Sequence, residues 1–499
     1  MKRCLTATVI AATFAAALAG ADARTLRFGS NGLPPAKGNP YFTTATTTYI
    51  FFASMFDTLT QLDDEGVVHP WLALEWVPLE PNRWHFKLRP GVTFSNGEPC
   101  DAAAVKATFD FLLSSAAVGQ SVAQDVDFVK ATRVIDPLTI EIETKAPNIF
   151  LPRYLASMYV VPPAHFAKVG LSGFALAPIG SGPFKVDSWA PEKVAFSAYT
   201  GSWRAPKIEH LDILALPEAT SRMQALETGQ VDLVTNVSPD HYDRLMAAGF
   251  RFHHRNPTRM WIIALDSLKP DSPFKDERVR QALNYATNRQ AIADGLLNGM
   301  VDVASQPAVK AAVGYDPALT PYPYDPDKAR ALLKEAGVGN GFSFVMEMPA
   351  GQLPNDGAVM QQIARDLSQV GITMQINNVS FAQAISRMSQ GGWKGHGLQT
   401  DFSVAPPLDI MRALTRHSCG WTNPWYCDPA IEPKIAAAHA AFDVDERTRL
   451  TREIVKFYRD TAQSLFLFPI LSLDGLSPRI TKWAPWNDNF MFHLAEVAE

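Results

Sequence analysis

The chain of 499 residues has only four cysteines, almost balanced charge and, beyond its first twenty residues, no long hydrophobic run. Four cysteines are too few for a disulfide-stapled scaffold. With 45 basic against 50 acidic residues and a net charge of -5, the chain has no polybasic surface, and no nucleic-acid partner is expected. The later apolar runs fall short of the ~20 residues that a spanning helix needs. Catalytic fingerprints are missing too: the chain has no G-x-S-x-G elbow, no H-E-x-x-H helix, no P-loop and no G-x-G-x-x-G after a strand. Gly180-Ser181-Gly182-Pro183 comes nearest to a nucleophile turn, but no base lies close to it in sequence and the proline suits a turn. The eleven histidines are dispersed, and His253-His254 would point to opposite faces of a strand, which disfavours one shared metal. Neither repeats nor heptads occur, and no cofactor is expected.

The sequence also carries positive signals. Lys2 and Arg3 precede an apolar stretch, Leu5 to Ala19, whose only polar residues are threonines, and Ala21-Asp22-Ala23 offers a small-x-small cleavage site. Residues 1–23 read as a signal peptide cleaved near Ala23, so a periplasmic location is expected. Ala21 occupies the position where a lipoprotein would carry its lipidated cysteine, so the chain is not read as a lipoprotein. Cys4 leaves with the signal and Cys100 stands alone. Cys419 and Cys427, eight positions apart, suit a small disulfide loop in an oxidising compartment. A two-cysteine metal site is the competing reading, with His417 the nearby imidazole.

At ~150 residues per domain, the length implies three domains or two large ones. Trp84, Phe86 and Leu88 alternate with polar residues, as do Ile140 and Ile142, which predicts two half-buried strands. Between them Asp101 is placed to cap a helix through Val105, Phe109 and Leu112. Strands around Leu211 and Leu233 flank a helix ending at Gly229, the order of a crossover unit. Further on, Asp325-Pro326 opens a helix that ends at Gly337, and Ser380-x-x-Gln383 forms a capping box.

Several separate stretches then resemble one family. Leu88-Arg-Pro-Gly-Val-Thr-Phe94 with Asn96-Gly97 and Asp101 to Val105, Ile179-Gly-Ser-Gly-Pro-Phe-Lys185, and Leu226-Glu-Thr-Gly-Gln-Val-Asp232 occur in that order. Phe274-Lys-Asp-Glu-Arg-Val-Arg-Gln-Ala-Leu-Asn-Tyr-Ala286 and Tyr324-Asp-Pro-Asp-Lys-Ala-Arg-Ala-Leu-Leu-Lys-Glu-Ala-Gly337 follow. The chain resembles the bacterial extracellular solute-binding proteins of family 5, the periplasmic peptide- and nickel-binding components of ABC importers. Asn96 departs from the acid usual in the first motif.

This resemblance implies an α/β, two-lobed flytrap fold with an additional α+β domain inserted in the first lobe. It places the first lobe at 24–48, 180–265 and 483–499, the extra domain at 49–179 and the second lobe at 266–482. It also implies a monomer that delivers a small molecule or short peptide to ABC permease subunits. Asp401 is the implied amine anchor, although no tryptophan adjoins it as in peptide-binding relatives, and capping a turn is its alternative role. Trp261, Trp393, Trp421 and Trp425 are candidate cleft walls, with packing of the disulfide loop the alternative for Trp421 and Trp425. Asn31, Gly32 and Tyr49 would face the cleft from the first lobe, and Gln352 and Asn355 from a loop before a helix. Nickel or metal-chelate binding through His417, and opine, sugar or glutathione binding, are the alternatives within the family. A secreted hydrolase and a chemoreceptor-linked binding protein are the readings from other classes.

Overall fold

Leu26 and Phe28 are fully buried, and their strand Thr25–Ser30 lies at the centre of a seven-stranded sheet. The computed structural model describes residues 24–43, 46–486 and 488–498; the expected signal peptide and Cys4 lie outside them. His210–Ala215 and Leu233–Val234 run parallel to Thr25–Ser30 on its two sides. The helix Ala219–Glu227 joins them, and the crossover expected from sequence is formed. Antiparallel strands Lys193–Ala198 and Phe184–Trp189 extend one edge, while Leu473–Leu476 and Arg251–His254 extend the other.

A second, five-stranded sheet runs Ile372–Val379, Phe342–Pro349, Gly397–Ser403, Arg259–Leu265 and Ser464–Pro469. Helices pack on both faces and divide its core into two clusters, around Ile262 and Phe402 on one face and Trp261 and Ile263 on the other. A third sheet, Ala73–Glu80, Arg83–Leu88, Thr139–Thr144 and Val129–Asp136, is wholly antiparallel. Asp101 caps the helix Ala102–Leu112 beside this sheet, accepting from the backbone N–H groups of Ala103 and Ala104. The capping box at Ser380 and Gln383 is complete, and Asp325 accepts from the Lys328 N–H.

The chain passes between the two larger sheets after His254 and returns after Pro469. These crossings differ from the expected boundaries at 265/266 and 482/483. Arg259–Leu265 pairs with Gly397–Ser403 and Ser464–Pro469, so it belongs to the second lobe. Leu473–Leu476 pairs with Leu233–Val234 and Arg251–His254, so it belongs to the first. The crossings run side by side: Arg255 N–H donates to Ser472 O at 3.0 Å and Ile470 N–H to Arg259 O at 2.9 Å.

The inserted domain shares its core with the first lobe, because Phe28 and Ile213 belong to one hydrophobic cluster with Phe86 and Ile140. Asp57 is the polar centre of this junction. Fully buried, it accepts from Arg204 Nε at 2.7 Å, Trp71 Nε1 at 2.8 Å, Ser181 Oγ at 2.7 Å and Trp203 Nε1 at 3.2 Å. Ser181 is thus a partner of a structural carboxylate rather than a nucleophile. Its flanking glycines are required by close approach: a Cβ on Gly180 would sit 1.8 Å from the Met55 carbonyl oxygen.

Removing one member of a buried ion pair typically costs about 3–5 kcal/mol, and a hydrogen bond to a charged group about 1.5–3 kcal/mol. Asp57→Ala is therefore expected to lower unfolding free energy by about 3–5 kcal/mol and Ser181→Ala by about 1.5–3 kcal/mol. Urea unfolding followed by tryptophan fluorescence checks both, and equal, small losses would refute a central role for Asp57.

Candidate functional site

The lobes also meet on both flanks of the double crossing. On one flank the Asn355 side-chain amide, in the second lobe, donates to Leu296 O at 2.8 Å and reaches Asp240 in the first lobe at 3.3 Å. On the other, the inserted domain closes against the second lobe. Tyr154 Oη donates to Asp409 Oδ2 at 3.1 Å, Arg153 to Pro407 O at 2.9 Å, and Arg412 pairs with Asp125 at 2.9 Å.

Between these last contacts lies a cavity of about 430 Å³, within the ~300–1,000 Å³ range of ligand pockets. Asp125, Phe128, Lys145 and Tyr154 line it from the inserted domain, and Arg412, Arg416, Trp421 and Arg447 from the second lobe. The helix Ile410–Arg416 supplies its cationic wall. Asp409 caps that helix through the Met411 N–H and also pairs with Arg447 at 2.8 Å. Burial opposes charge on Asp409, but the Arg447 guanidinium beside it holds its carboxyl below the usual range. Arg412 and Arg416, four residues apart, fall on one helix face.

Asp401 lies next to this wall, on the strand Gly397–Ser403. Its side chain is about one-quarter exposed and pairs with Arg259 at 3.3 Å. The Asp401 backbone acts electrostatically on the His417 imidazole, and the Asp401 carboxylate on the Arg416 guanidinium. Arg416 itself makes no hydrogen bond and no ion pair within 4 Å among the described residues, and its guanidinium lies over the Trp421 ring at 5.7 Å.

The other expected site residues fall in different places. Trp261 is 3% exposed and packs on Phe468; Trp393 is 7% exposed and packs on Trp425, itself buried. These tryptophans are core, whereas Trp421 is half-buried, donates Nε1 to Met388 O and lines the cavity. Tyr49 points inward, its hydroxyl donating to Ala156 O at 3.0 Å, while Asn31 and Gly32 are half-buried after the first strand. Gln352 is exposed. The backbone donors of its loop are already engaged, because Asp356 accepts from the N–H groups of Gln352 and Leu353. Asn355 serves as an interlobe bridge.

Cys419 and Cys427 are joined by a disulfide, and Cys100 is a buried thiol. His417 is 2% exposed, stacked on Phe402 at a centroid distance of 3.9 Å and edge-on to Trp425 at 4.9 Å. Burial, helped by the neighbouring Arg416 charge, pushes its imidazole down to about 3. Among the described residues no three His, Cys, Asp or Glu side chains come together as a metal site. The His417 ring, read from sequence as a candidate for completing a chelated metal, is enclosed by aromatic side chains and does not line the cavity. Sequence reading missed Arg412 and Arg416, although their i, i+4 spacing between Asp409 and Cys419 is visible without a structure.

The architecture is that of the two-lobed binding proteins that receive small solutes. The structure of DppA from Helicobacter pylori in complex with peptide STSA superposes with a TM-score of 0.83 at 20% identity, covering 95% of this chain and 98% of that one. AgaA from A. tumefaciens R10 in complex with agropinic acid gives 0.82 at 20% identity, covering 95% and 99%. In sequence, the glutathione-binding protein GsiB of Salmonella paratyphi A is 27% identical over 436 residues, 83% of each chain. The model of the bacterial extracellular solute-binding proteins, family 5 Middle, matches residues 67–419. The chain belongs to that family: it is a solute-binding protein of an ABC importer, and a binding protein rather than an enzyme. No described helix is long and apolar enough to cross a membrane.

The enclosure of His417 has a pH consequence. In the unfolded chain its imidazole takes up a proton below about pH 6.5, whereas the native ring stays neutral down to about 3. The stability it contributes is complete above pH 6.5 and falls as the pH drops toward 3. Between pH 7 and pH 5 the native chain should lose about 2 kcal/mol more than His417→Gln. Urea midpoints at the two pH values measure this difference, and parallel losses would show that His417 is not buried neutral.

Proposed function

We propose that this protein works in the periplasm as the capture component of its importer, enclosing a small peptide-like solute between its lobes and presenting it to the membrane permease. One observation carries the reading: a guanidinium, Arg416, lines the interlobe cavity, and a carboxylate, Asp401, on the neighbouring strand lies within its electrostatic reach. A solute with an ammonium and a carboxylate has a counter-charge for each. Burying such groups without partners costs several kcal/mol apiece, so a cleft that closes over them must supply matched charge. Micromolar affinity requires only about 8 kcal/mol net, which one amine–carboxylate pair and one carboxylate–guanidinium pair with modest apolar contact can provide.

Closure follows from the topology. A solute that touches both the inserted domain and the second lobe makes contacts available only when they approach, so it shifts the lobes toward the closed state. The names of relatives agree in kind, since GsiB is a glutathione-binding protein and the DppA structure holds a peptide. A second reading has its own observation. Asp401 already pairs with Arg259 at 3.3 Å, which weakens its pull on an amine and favours an opine-like acid, the class held by AgaA.

Two measurements separate the readings. Native mass spectrometry of protein purified from periplasm without denaturation, with tandem identification of any retained mass, names the solute directly; an opine there would displace the peptide reading. Asp401→Asn is expected to weaken binding of a dipeptide with a free amine by about 1.5–3 kcal/mol and to leave its N-acetylated form unchanged by calorimetry. Equal effects on both forms would remove Asp401 as amine anchor.

A further inference from the structure

The charges around the cavity do not balance. Arg412 is matched by Asp125 at 2.9 Å and Arg259 by Asp401 at 3.3 Å. Arg447 is matched by Asp409 at 2.8 Å, and Lys145 by Asp127 at 2.8 Å. Arg416 is left over, without a carboxylate within 4 Å among the described residues.

Its position makes that surplus meaningful. Arg416 lines the cavity and is half-buried, with Arg412 on its own helix face and the Trp421 ring below it. A cation–π contact returns only about 0.5–1 kcal/mol at a partly exposed site, less than the ~1.5–3 kcal/mol of a hydrogen bond to a charged group. A guanidinium presents a planar fork of N–H donors that matches a carboxylate in two parallel hydrogen bonds.

We infer that Arg416 is a specificity-determining residue that receives a carboxylate of the solute, and that the cavity is therefore built for a solute with more acidic than basic groups. The inference deepens the peptide-like reading and rests on it only for the choice of probes. A neutral dipeptide uses its one carboxylate and one amine; an anionic one brings a further acid to the surplus positive charge.

The test is calorimetric titration of the full mature chain and of Arg416→Gln with Ala-Glu, its isosteric amide Ala-Gln, and glutarate as an acid without an amine. The native chain should bind Ala-Glu about ten- to a hundredfold more tightly than Ala-Gln, and Arg416→Gln should abolish that preference. Its thermal midpoint should be unchanged or raised, because no intramolecular hydrogen bond is lost; a fall of several degrees would assign Arg416 a structural role and overturn the inference. Equal binding of Ala-Glu and Ala-Gln by the native chain would overturn it while leaving the peptide-like reading intact. Arg416-dependent binding of glutarate with no binding of either dipeptide would uphold the arginine and sink the peptide-like reading. Binding of none of the three would overturn both.

Discussion

Arg255 occupies the point where the chain first leaves one lobe for the other, and its guanidinium is buried. Its charge is met by Asp474 at 3.0 Å, just beyond the return crossing, and by Asp488 of the C-terminal segment, which also accepts from Thr258. Burial and the nearby Asp488 carboxylate push the Asp474 carboxyl up to about 7 even with Arg255 beside it. A buried ion cluster of this kind is weak evidence of net stability, but it ties the first crossing to the return crossing and to the C-terminal segment. Both crossings are thus pinned to each other and to the C-terminal segment, and the lobes have one axis about which to move.

The interlobe contacts away from that axis are of a different kind. Asn355 with Asp240, Tyr154 with Asp409, and Arg412 with Asp125 are polar, and Leu62 and Ala156 of the inserted domain join the second lobe's apolar cluster. Polar contacts of this kind contribute about 0.5–1.5 kcal/mol each, or about 1.5–3 kcal/mol where a group is charged, because water satisfies the same groups when the lobes part. A solute then adds the differential contacts that decide the equilibrium, as a flytrap requires. The junction between the first lobe and the inserted domain is apolar and closed around Asp57, and the two share one core.

Much of this was legible in the sequence, for identifiable reasons. Caps at Asp101, Asp325 and Ser380 are local, and they formed as their residue types dictate. The Gly180-Ser-Gly182 turn was visible as a motif, but its purpose was not, because the Met55 carbonyl and Asp57 that demand it lie over a hundred residues away. The crossing was misplaced since Met260 to Leu265 is continuously apolar and buried on both faces; period alone cannot say which sheet such a strand joins. Trp261 and Trp393 were read toward a cleft from residue type, and the sheet turned them into core. The two arginines of the cavity wall were overlooked because charged residues on a helix face are ordinarily solvent-facing.

What makes that wall usable for recognition is its rigidity. The Cys419–Cys427 bridge closes the loop that carries Trp421, while His417 sits between Phe402 and Trp425 and its carbonyl accepts from Tyr458. Phe402 belongs to the strand Gly397–Ser403 and Trp425 to the disulfide loop, so strand, helix end and disulfide loop share one buried anchor in His417. Arg416 and Asp401 leave that anchor on adjacent backbone with little freedom of position, and the ordering of the wall is already accomplished before a solute arrives. Preorganised charge costs less to use than charge that must be gathered at binding. The enclosure of His417 therefore gives its neighbours a fixed geometry, and it is on this geometry that the proposed preference for an acidic solute rests.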